Sequence, residues 1–277
     1  MKNVLILSEA SIGDSIVSTL PMVKYLKKEG CKVHVHLASD VSWKLMSEVP
    51  FIDVITRTST GYKAGCHHPP SMELTIDDEP KLLIESYDVV YMRDCQYMYE
   101  RYFNINLNKS LVVKYNCGYY ATLYRPEFIF NQLGFKDYDI SISIDWYNRF
   151  HKNFNLPNNS LLLNTKSNDM ARSYYRKIEL KERLKNHNFN VIEIDENKDV
   201  RENLHLINQV RYILTVDTGV LWLAKSLGKT PYLIIPKHAY FNKLNYERLL
   251  GVKALNSLTP KNIVDDFLFL TKNNIPI

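Results

Sequence analysis

The sequence predicts an α/β protein made of two doubly wound, Rossmann-like domains. Short apolar runs alternate with amphipathic helical segments, a polar stretch at residues 151–160 interrupts the pattern, and the same alternation restarts after it. Such alternation is typical of parallel sheets covered by helices on both faces. The 277 residues suffice for two compact domains, which we place at 1–155 and 160–277.

The N-terminal half begins with a β-α-β unit. Residues 3–8 form a buried strand pattern, residues 14–29 place apolar side chains at helical spacing, and Gly30 is the predicted C-terminal cap. Residues 32–37 alternate as a strand with one apolar face, and a right-handed crossover is expected. The further predicted elements are a helix at 41–47, a strand at 51–55, a long loop at 56–80, strands at 88–91 and 111–115, and a helix at 119–133.

The C-terminal half repeats the alternation. The predicted elements are strands at 161–163, 190–194, 212–216 and 231–235 and helices at 170–187, 200–209 and 219–227. A last helix around Asp265-Asp266 could pack back on the N-terminal domain. Ligands of such sheets bind at the carboxyl ends of the strands, so the functional residues are sought there.

Composition and charge limit the classes of function. Hydrophobic residues make up 45% of the chain and charged residues 23%, which suits a folded protein rather than a disordered one. The net charge of +5 favours an anionic ligand but is too small for a dedicated nucleic-acid binder. The four cysteines lack a paired spacing, the N-terminal apolar run meets Glu9 too early for a signal peptide, and no stretch reaches ~18 apolar residues. We therefore expect a cytoplasmic protein, free or peripheral at the inner membrane.

The first motif is Ser11-Ile12-Gly13-Asp14, between the first strand and the first helix. Gly13 permits a tight turn after the small polar Ser11. Asp14 falls at the helix start, at the carboxyl edge of the sheet, where a carboxylate could remove a proton from an acceptor hydroxyl. Alternatively, Ser11 or Asp14 only caps the helix, and the sequence leaves both interpretations open.

The second motif is Asp217-Thr218-Gly219, between a predicted strand and a predicted helix that carries Trp222 and Lys225 and ends before Gly228-Lys229. Backbone N–H groups at a helix start attract a diphosphate, Thr218 offers a hydroxyl donor, and Gly219 permits close approach. The alternative is a capped helix that binds no ligand.

Taken together, the two motifs resemble those of glycosyltransferase family 9, the lipopolysaccharide heptosyltransferases. In its N-terminal half, that family has an apolar strand, a loop ending in Gly-Asp and a helix that contains Leu-Pro. In its C-terminal half, it has Asp-Ser/Thr-Gly followed by Leu-Gly-Lys-Pro. The matching residues here are 4–7, Gly13-Asp14, Leu20-Pro21, Asp217-Thr218-Gly219, Leu223-Ala224 and Leu227-Gly228-Lys229-Thr230-Pro231.

The resemblance implies a GT-B fold, with the acceptor on the N-terminal domain and the sugar nucleotide on the C-terminal one. It implies an inverting, metal-independent hexosyl or heptosyl transfer with Asp14 as the base and no cofactor besides the nucleoside-diphosphate sugar. The nucleotide-sugar loop falls on Asp217, Thr218 and Gly219. Trp222 stands where the family has a His, which implies a changed donor sugar or a changed grip on it.

Basic residues are expected to hold the leaving diphosphate, because no metal is expected to do so. The family has small polar and basic residues after the first strand of its second domain, and Asn164-Thr165-Lys166 and Arg172 fill that place here. Lys166 and Arg172 could equally be plain surface charges. Cys66-His67-His68 lacks the paired spacing of a zinc site and is predicted to be an exposed loop.

The span 87–125 interleaves aromatic and basic residues in the half expected to bind the acceptor. Arg93, Arg101 and Lys114 are its candidate contacts to an anionic acceptor, although ordinary surface packing explains the same pattern. A phosphorylated glycan such as a lipopolysaccharide core fits this span. DNA fits it as well, as in phage-type enzymes that glycosylate hydroxymethylcytosine or an already glycosylated base. A binding protein without activity is a third possibility, which retention of both motifs argues against.

Overall fold

The protein is described from a computed structural model, in residues 1–8, 12–37, 40–57, 87–93, 112–115, 125–139, 153–167, 173–195, 198–235, 247, 252–255 and 259–272. The chain divides into two compact units, Met1–Ile142 and Ser143–Ile277. Each unit contains a five-stranded parallel sheet. The predicted α/β class with two doubly wound sheets is therefore confirmed.

The first unit contains, in chain order, β1 (Asn3–Ser8), α1, β2 (Lys32–Leu37), α2 (Asp40–Met46), β3 (Val54–Arg57), β4 (Val89–Arg93), β5 (Val112–Tyr115) and α3 (Arg125–Leu133). Helix α1 runs through three continuous segments, Ile12–Asp14, the π-helical turn Ser15–Thr19 and Leu20–Lys28. The strand order is β3-β2-β1-β4-β5. The order reverses direction between β1 and β4, so the carboxyl end of β1 lies at the topological switch point of the sheet.

The second unit contains β6 (Ser160–Asn164), α4 (Lys177–Asn186), β7 (Asn190–Glu193), α5 (Val200–Gln209), β8 (Tyr212–Thr215), α6 (Gly219–Ser226), β9 (Tyr232–Ile234), β10 (Lys253–Leu255) and α7 (Pro260–Lys272). The strand order is β10-β9-β8-β6-β7, and the switch point lies between β6 and β8. Helix α7 packs its buried residues Ile263, Val264 and Phe267 into the core of this same unit. No helix in the described part of the chain is long and apolar enough to span a membrane.

Two predictions for the first unit are wrong in detail. Strand β2 does not alternate between a buried and an open face, because residues 33–37 are all buried, His34 and His36 included. A strand inside a parallel sheet is covered on both faces, so its polar side chains are enclosed as well. The strand predicted at 51–55 occupies Val54–Arg57 instead, since Asp53 turns back to accept the backbone N–H of Val33. Residues 56 and 57 of the predicted long loop therefore belong to β3, and the rest of that prediction, with Cys66-His67-His68, lies outside the described residues.

The helix predicted to begin at residue 170 begins at Lys177. Residues 173–176 are not helical, because the Tyr174 N–H donates to the Thr165 carbonyl at 2.8 Å instead of to the turn before it. The Ser167 N–H donates to Ser173 Oγ at 2.9 Å, and that hydroxyl donates back to the Ser167 carbonyl at 3.2 Å. These bonds hold the segment before α4 against the end of β6. Strand β10 was not predicted.

Candidate functional site

Asp14 lies at the switch point of the first sheet. It closes the first turn of α1, the helix that leaves β1, and its side chain is partly buried while Gly13 is buried. Its backbone is helical, at φ −65° and ψ −36°, and its carboxylate makes no capping hydrogen bond to the turn that follows. Asp14 is therefore part of the helix rather than its cap. Ser11 lies outside the described residues.

A π-helical turn, Ser15–Thr19, directly follows Asp14, and all of its residues are buried. The Thr19 hydroxyl lies 3.0 Å from the Ser8 hydroxyl, which joins this turn to the last residue of β1. Single π turns inside α-helices are frequent at functional sites. This turn was not predicted, because its apolar residues keep ordinary helical spacing.

The second motif forms a capped helix start at the switch point of the second sheet. Thr218 is the N-cap of α6, with extended backbone at φ −148° and ψ −179°, and its Oγ1 accepts the Val220 N–H at 3.3 Å. Gly219 is the first residue of the helix, and Asp217 precedes the cap with a partly buried side chain. The helix start carries the positive end of the helix dipole toward the carboxyl edge of the sheet.

Asn164 ties this helix start to the neighbouring strand. It is the last residue of β6, in register with Thr215 on β8. Its side-chain Nδ2 donates to Thr218 Oγ1 at 2.9 Å and to Thr215 Oγ1 at 3.2 Å. From the sequence, Asn164 belonged to the polar and basic stretch after the first strand of the second domain, and no separate role was predicted for it. A single amide after three consecutive leucines was the signal that marks the strand end.

The basic residues proposed for the donor are only partly placed by the structure. Lys166 is exposed, two residues beyond the end of β6, and Arg172 lies outside the described residues. Lys225, two turns into α6, is about half buried, and burial lowers the pKa of its ammonium group. Trp222 on the same helix is only 7% exposed, so most of its surface is used in packing.

The end of the second motif does not belong to the site. Gly228, at φ +72°, turns the chain out of α6, and the following Lys229 donates from Nζ to the Val210 carbonyl at the end of α5, at 3.2 Å. Eight helical residues span about 12 Å, so this turn lies at the opposite end of α6 from Thr218. Gly228 therefore ends α6 and Lys229 caps the end of α5, at a place remote from a ligand at the carboxyl edge.

The acceptor candidates are not brought together in the described part of the first unit. Arg93 is the last residue of β4, paired with Tyr115 on β5, and nothing is described of its side chain. Lys114 is exposed on β5, the edge strand, and Arg101 lies outside the described residues. No set of three or more His, Cys, Asp and Glu side chains that could hold a metal ion occurs among the described residues.

A partly buried hydrogen-bonded network, which was not predicted from the sequence, joins β2 to its neighbours. His34 Nε2 and His36 Nδ1 each lie 2.7 Å from Thr56 Oγ1 on β3, and His34 Nδ1 is hydrogen bonded to the Tyr87 hydroxyl. Burial lowers the pKa of His34 to about 4. Burial, with a smaller contribution from His34, lowers the pKa of His36 to about 3. Both rings are therefore neutral at pH 7.

Solved structures of glycosyltransferases share this fold, although no protein-family model matches the sequence and no curated protein sequence is similar to it. E. coli heptosyltransferase WaaC with ADP-2-deoxy-2-fluoro heptose is 13% identical, with a TM-score of 0.60 over 99% of this chain and 100% of that one. E. coli ADP-heptose lipopolysaccharide heptosyltransferase II is 12% identical, with a TM-score of 0.62 over 99% of both chains. A glycosyl transferase family 9 protein of Veillonella parvula is 12% identical, with a TM-score of 0.57 over 100% of this chain and 90% of that one. The chain therefore has the two-domain GT-B fold of the heptosyltransferases, as its motifs predict.

Proposed function

We propose that the chain is a glycosyltransferase that moves a heptose or hexose from a nucleoside-diphosphate sugar to a hydroxyl of a surface glycan such as a lipopolysaccharide core. One observation supports this above all: each sheet carries one of the two motifs at its switch point, in a fold shared with heptosyltransferases over the whole chain. In open α/β sheets that position is where ligands bind. Identity of 12–13% supports the fold, and the motifs connect the fold to the chemistry.

In the proposed reaction, Asp14 takes the proton of the acceptor hydroxyl. The hydroxyl oxygen then forms a bond to the anomeric carbon while the bond from that carbon to the diphosphate oxygen breaks, so the anomeric configuration inverts. The electron pair leaves with the nucleoside diphosphate. Asp14 is a helical residue whose carboxylate does not cap the turn that follows it, and a carboxylate at the carboxyl edge of the sheet is suited to this proton transfer.

The leaving diphosphate is proposed to lie at the start of α6. Negative charge that develops on it would be stabilised by the helix N–H groups, by the Thr218 hydroxyl and by Lys166 and Arg172. In this proposal these groups take the place of a metal ion. The structures of WaaC contain ADP or an ADP-heptose analogue, which makes ADP-heptose the first donor to test here.

The DNA-modifying alternative gains no support from the structure. It depended on the basic and aromatic span 87–125, whose described parts are residues 87–93 and 112–115, and 125 itself. Within those parts Lys114 is exposed on an edge strand, and no described arrangement of Arg and Tyr side chains matches a nucleic-acid surface. The glycan acceptor is therefore the proposal that we pursue.

The test is an Asp14→Asn variant, which preserves side-chain size and removes the base. We expect turnover of ADP-heptose with a core oligosaccharide to fall by about 10² to 10⁴-fold, because a positioned base contributes that much. Binding of ADP and the melting temperature should stay close to those of the unmodified protein. Asp265→Asn, an exposed substitution of the same type on α7, is the matched control and should keep full activity.

Two outcomes would contradict the proposal. Near-normal turnover in Asp14→Asn would remove Asp14 as the base. If no sugar were transferred from a panel of nucleoside-diphosphate sugars by the unmodified protein, the proposed activity itself would be refuted.

A further inference from the structure

We propose that Asn164 is a positioning residue of the donor site: its side-chain amide sets the Thr218 hydroxyl as a hydrogen-bond donor to a diphosphate oxygen. This inference deepens the proposed function and rests on it, because it takes the nucleoside diphosphate to lie at the start of α6. The direction of the hydrogen bonds between Asn164, Thr215 and Thr218 supports it.

The first step fixes the orientation of the Asn164 amide. Thr215 is fully buried, and its hydroxyl donates to the Val216 carbonyl at 2.9 Å. A hydroxyl has one hydrogen, so Thr215 Oγ1 can only accept from the Asn164 side chain at 3.2 Å. The group of Asn164 that faces Thr215 must therefore be its NH₂ and not its carbonyl. The assignment of this amide thus rests on chemistry, whereas amide orientations are ordinarily ambiguous.

The second step fixes the direction of the Thr218 hydroxyl. The same NH₂ group, whose two hydrogens serve two neighbours, lies 2.9 Å from Thr218 Oγ1. Thr218 Oγ1 also accepts the Val220 N–H at 3.3 Å, as the helix cap. A hydroxyl oxygen has two lone pairs, and these two bonds use both of them. The Thr218 hydroxyl hydrogen is then directed to a third partner, which must be an acceptor.

The third step identifies the class of that partner. The oxygens of a nucleoside diphosphate are acceptors and carry negative charge, so they fit a hydroxyl that can only donate. The start of α6 adds backbone N–H groups and the positive end of the helix dipole at the same place. A partner that offers a hydrogen there would meet donors from Thr218 and from the backbone. The hydrogen bonds that connect Thr215, Asn164 and Thr218 therefore favour the binding of an anion at the switch point of the second sheet.

The test measures ADP affinity by calorimetry in Asn164→Leu, a substitution of similar size that removes the amide. We expect ADP to bind about fivefold more weakly, because one net hydrogen bond is worth about 1 kcal/mol. Thr215 keeps its own bond to Val216, so the variant leaves no buried hydroxyl hydrogen without an acceptor. Thr218→Val should weaken binding by a similar factor, and Thr218→Ser should bind nearly as the unmodified protein does.

A double substitution separates a positioning role from a structural one. In Thr218→Val there is no hydroxyl left to orient, so adding Asn164→Leu should not weaken ADP binding further. A general loss of structure would weaken it in both backgrounds. Asn159→Leu is the matched control at the other end of β6, where the Asn159 amide donates to the Asn188 carbonyl, and it should leave ADP affinity unchanged.

Three results would overturn the inference. These are an unchanged ADP affinity in Asn164→Leu, an equal loss with and without the Thr218 hydroxyl, and no binding of ADP or inorganic pyrophosphate by the unmodified protein. The transfer assay is a separate measurement. If the effects of Asn164 and Thr218 on ADP affinity were coupled but no sugar were transferred, the proposed reaction would be refuted and this inference would stand. If sugar were transferred but Asn164→Leu left ADP affinity unchanged, this inference would be refuted and the proposed reaction would stand.

Discussion

The buried histidines of β2 predict that mild acid destabilises the first unit before its carboxylates titrate. His34 and His36 are 7% and 1% exposed, and burial lowers the pKa of His34 from 6.5 to about 4 and the pKa of His36 from 6.5 to about 3. The unfolded chain therefore takes up protons below pH 6.5 while the folded chain does not. The stability contributed by the neutral rings is complete above pH 6.5 and is lost as the pH falls toward 4.

The magnitude follows from the width of the window. Between pH 7 and pH 5 the unfolding free energy should fall by about 2 kcal/mol for each ring and by about 4 kcal/mol for the pair, because the full uptake of one proton by the unfolded chain is worth about 1.4 kcal/mol per pH unit. Carboxylates with ordinary pKa values near 4 contribute little in this range. Protonation of a ring would also remove any hydrogen bond that the ring accepts from Thr56 or Tyr87, because a charged imidazole donates from both nitrogens and accepts from neither.

The assay is hydrogen exchange of β1 and β2 amides at pH 7 and pH 5, corrected for intrinsic exchange, which reports on the first unit alone. The unmodified protein should lose about 4 kcal/mol of protection between the two values, and a His34→Gln/His36→Gln variant should lose far less. His187→Gln changes an exposed histidine in the second unit and should leave the pH dependence as it is. Equal pH dependence in the unmodified protein and the double variant would refute the reasoning.

Two further predictions concern the donor. Sugar transfer should survive EDTA, because the proposed site stabilises the diphosphate with N–H, hydroxyl and cationic groups; loss of activity on chelation and its return with Mg²⁺ or Mn²⁺ would contradict this. Lys166→Ala and Arg172→Ala should each weaken ADP binding by about tenfold, in line with a charge-assisted hydrogen bond, while acceptor binding stays constant. Calorimetry with ADP checks it, and unchanged affinity in both variants would assign the two residues to the plain surface.

The order of strands and helices was largely predictable because alternation along the chain reflects the period of each element. Residues 200–209 were predicted as a helix and form α5 with the same bounds, since Asp199 caps that helix and its apolar stripe is regular. Strand β1 was predicted with its bounds as well. Position in the sheet is not a local property, however, so the burial of the face of β2 that carries His34 and His36 could not be inferred from alternation.

The candidate site was likewise predictable only in part. Asp14 and Thr218 were predicted at strand-to-helix turns, and the structure places both there, at the two switch points. The proposed role of Asn164 depends on β6 lying beside β8, because its partners Thr215 and Thr218 are 51 and 54 residues away in sequence. The late start of α4 has a similar cause. Helical spacing continued through residues 173–176, but hydrogen bonds to the end of β6 held that segment out of the helix.

The starts of α1 and α6 differ in charge, and this difference supports separate roles for the two units. A general base and a leaving diphosphate are both anions, so they repel one another if a single helix start must hold both. The first turn of α1 contains Asp14, whose carboxylate offsets the positive helix end, whereas the first turn of α6 contains no acidic residue. This difference supports the proposal that the start of α6 binds the anionic donor and that the start of α1 binds the neutral hydroxyl that loses its proton.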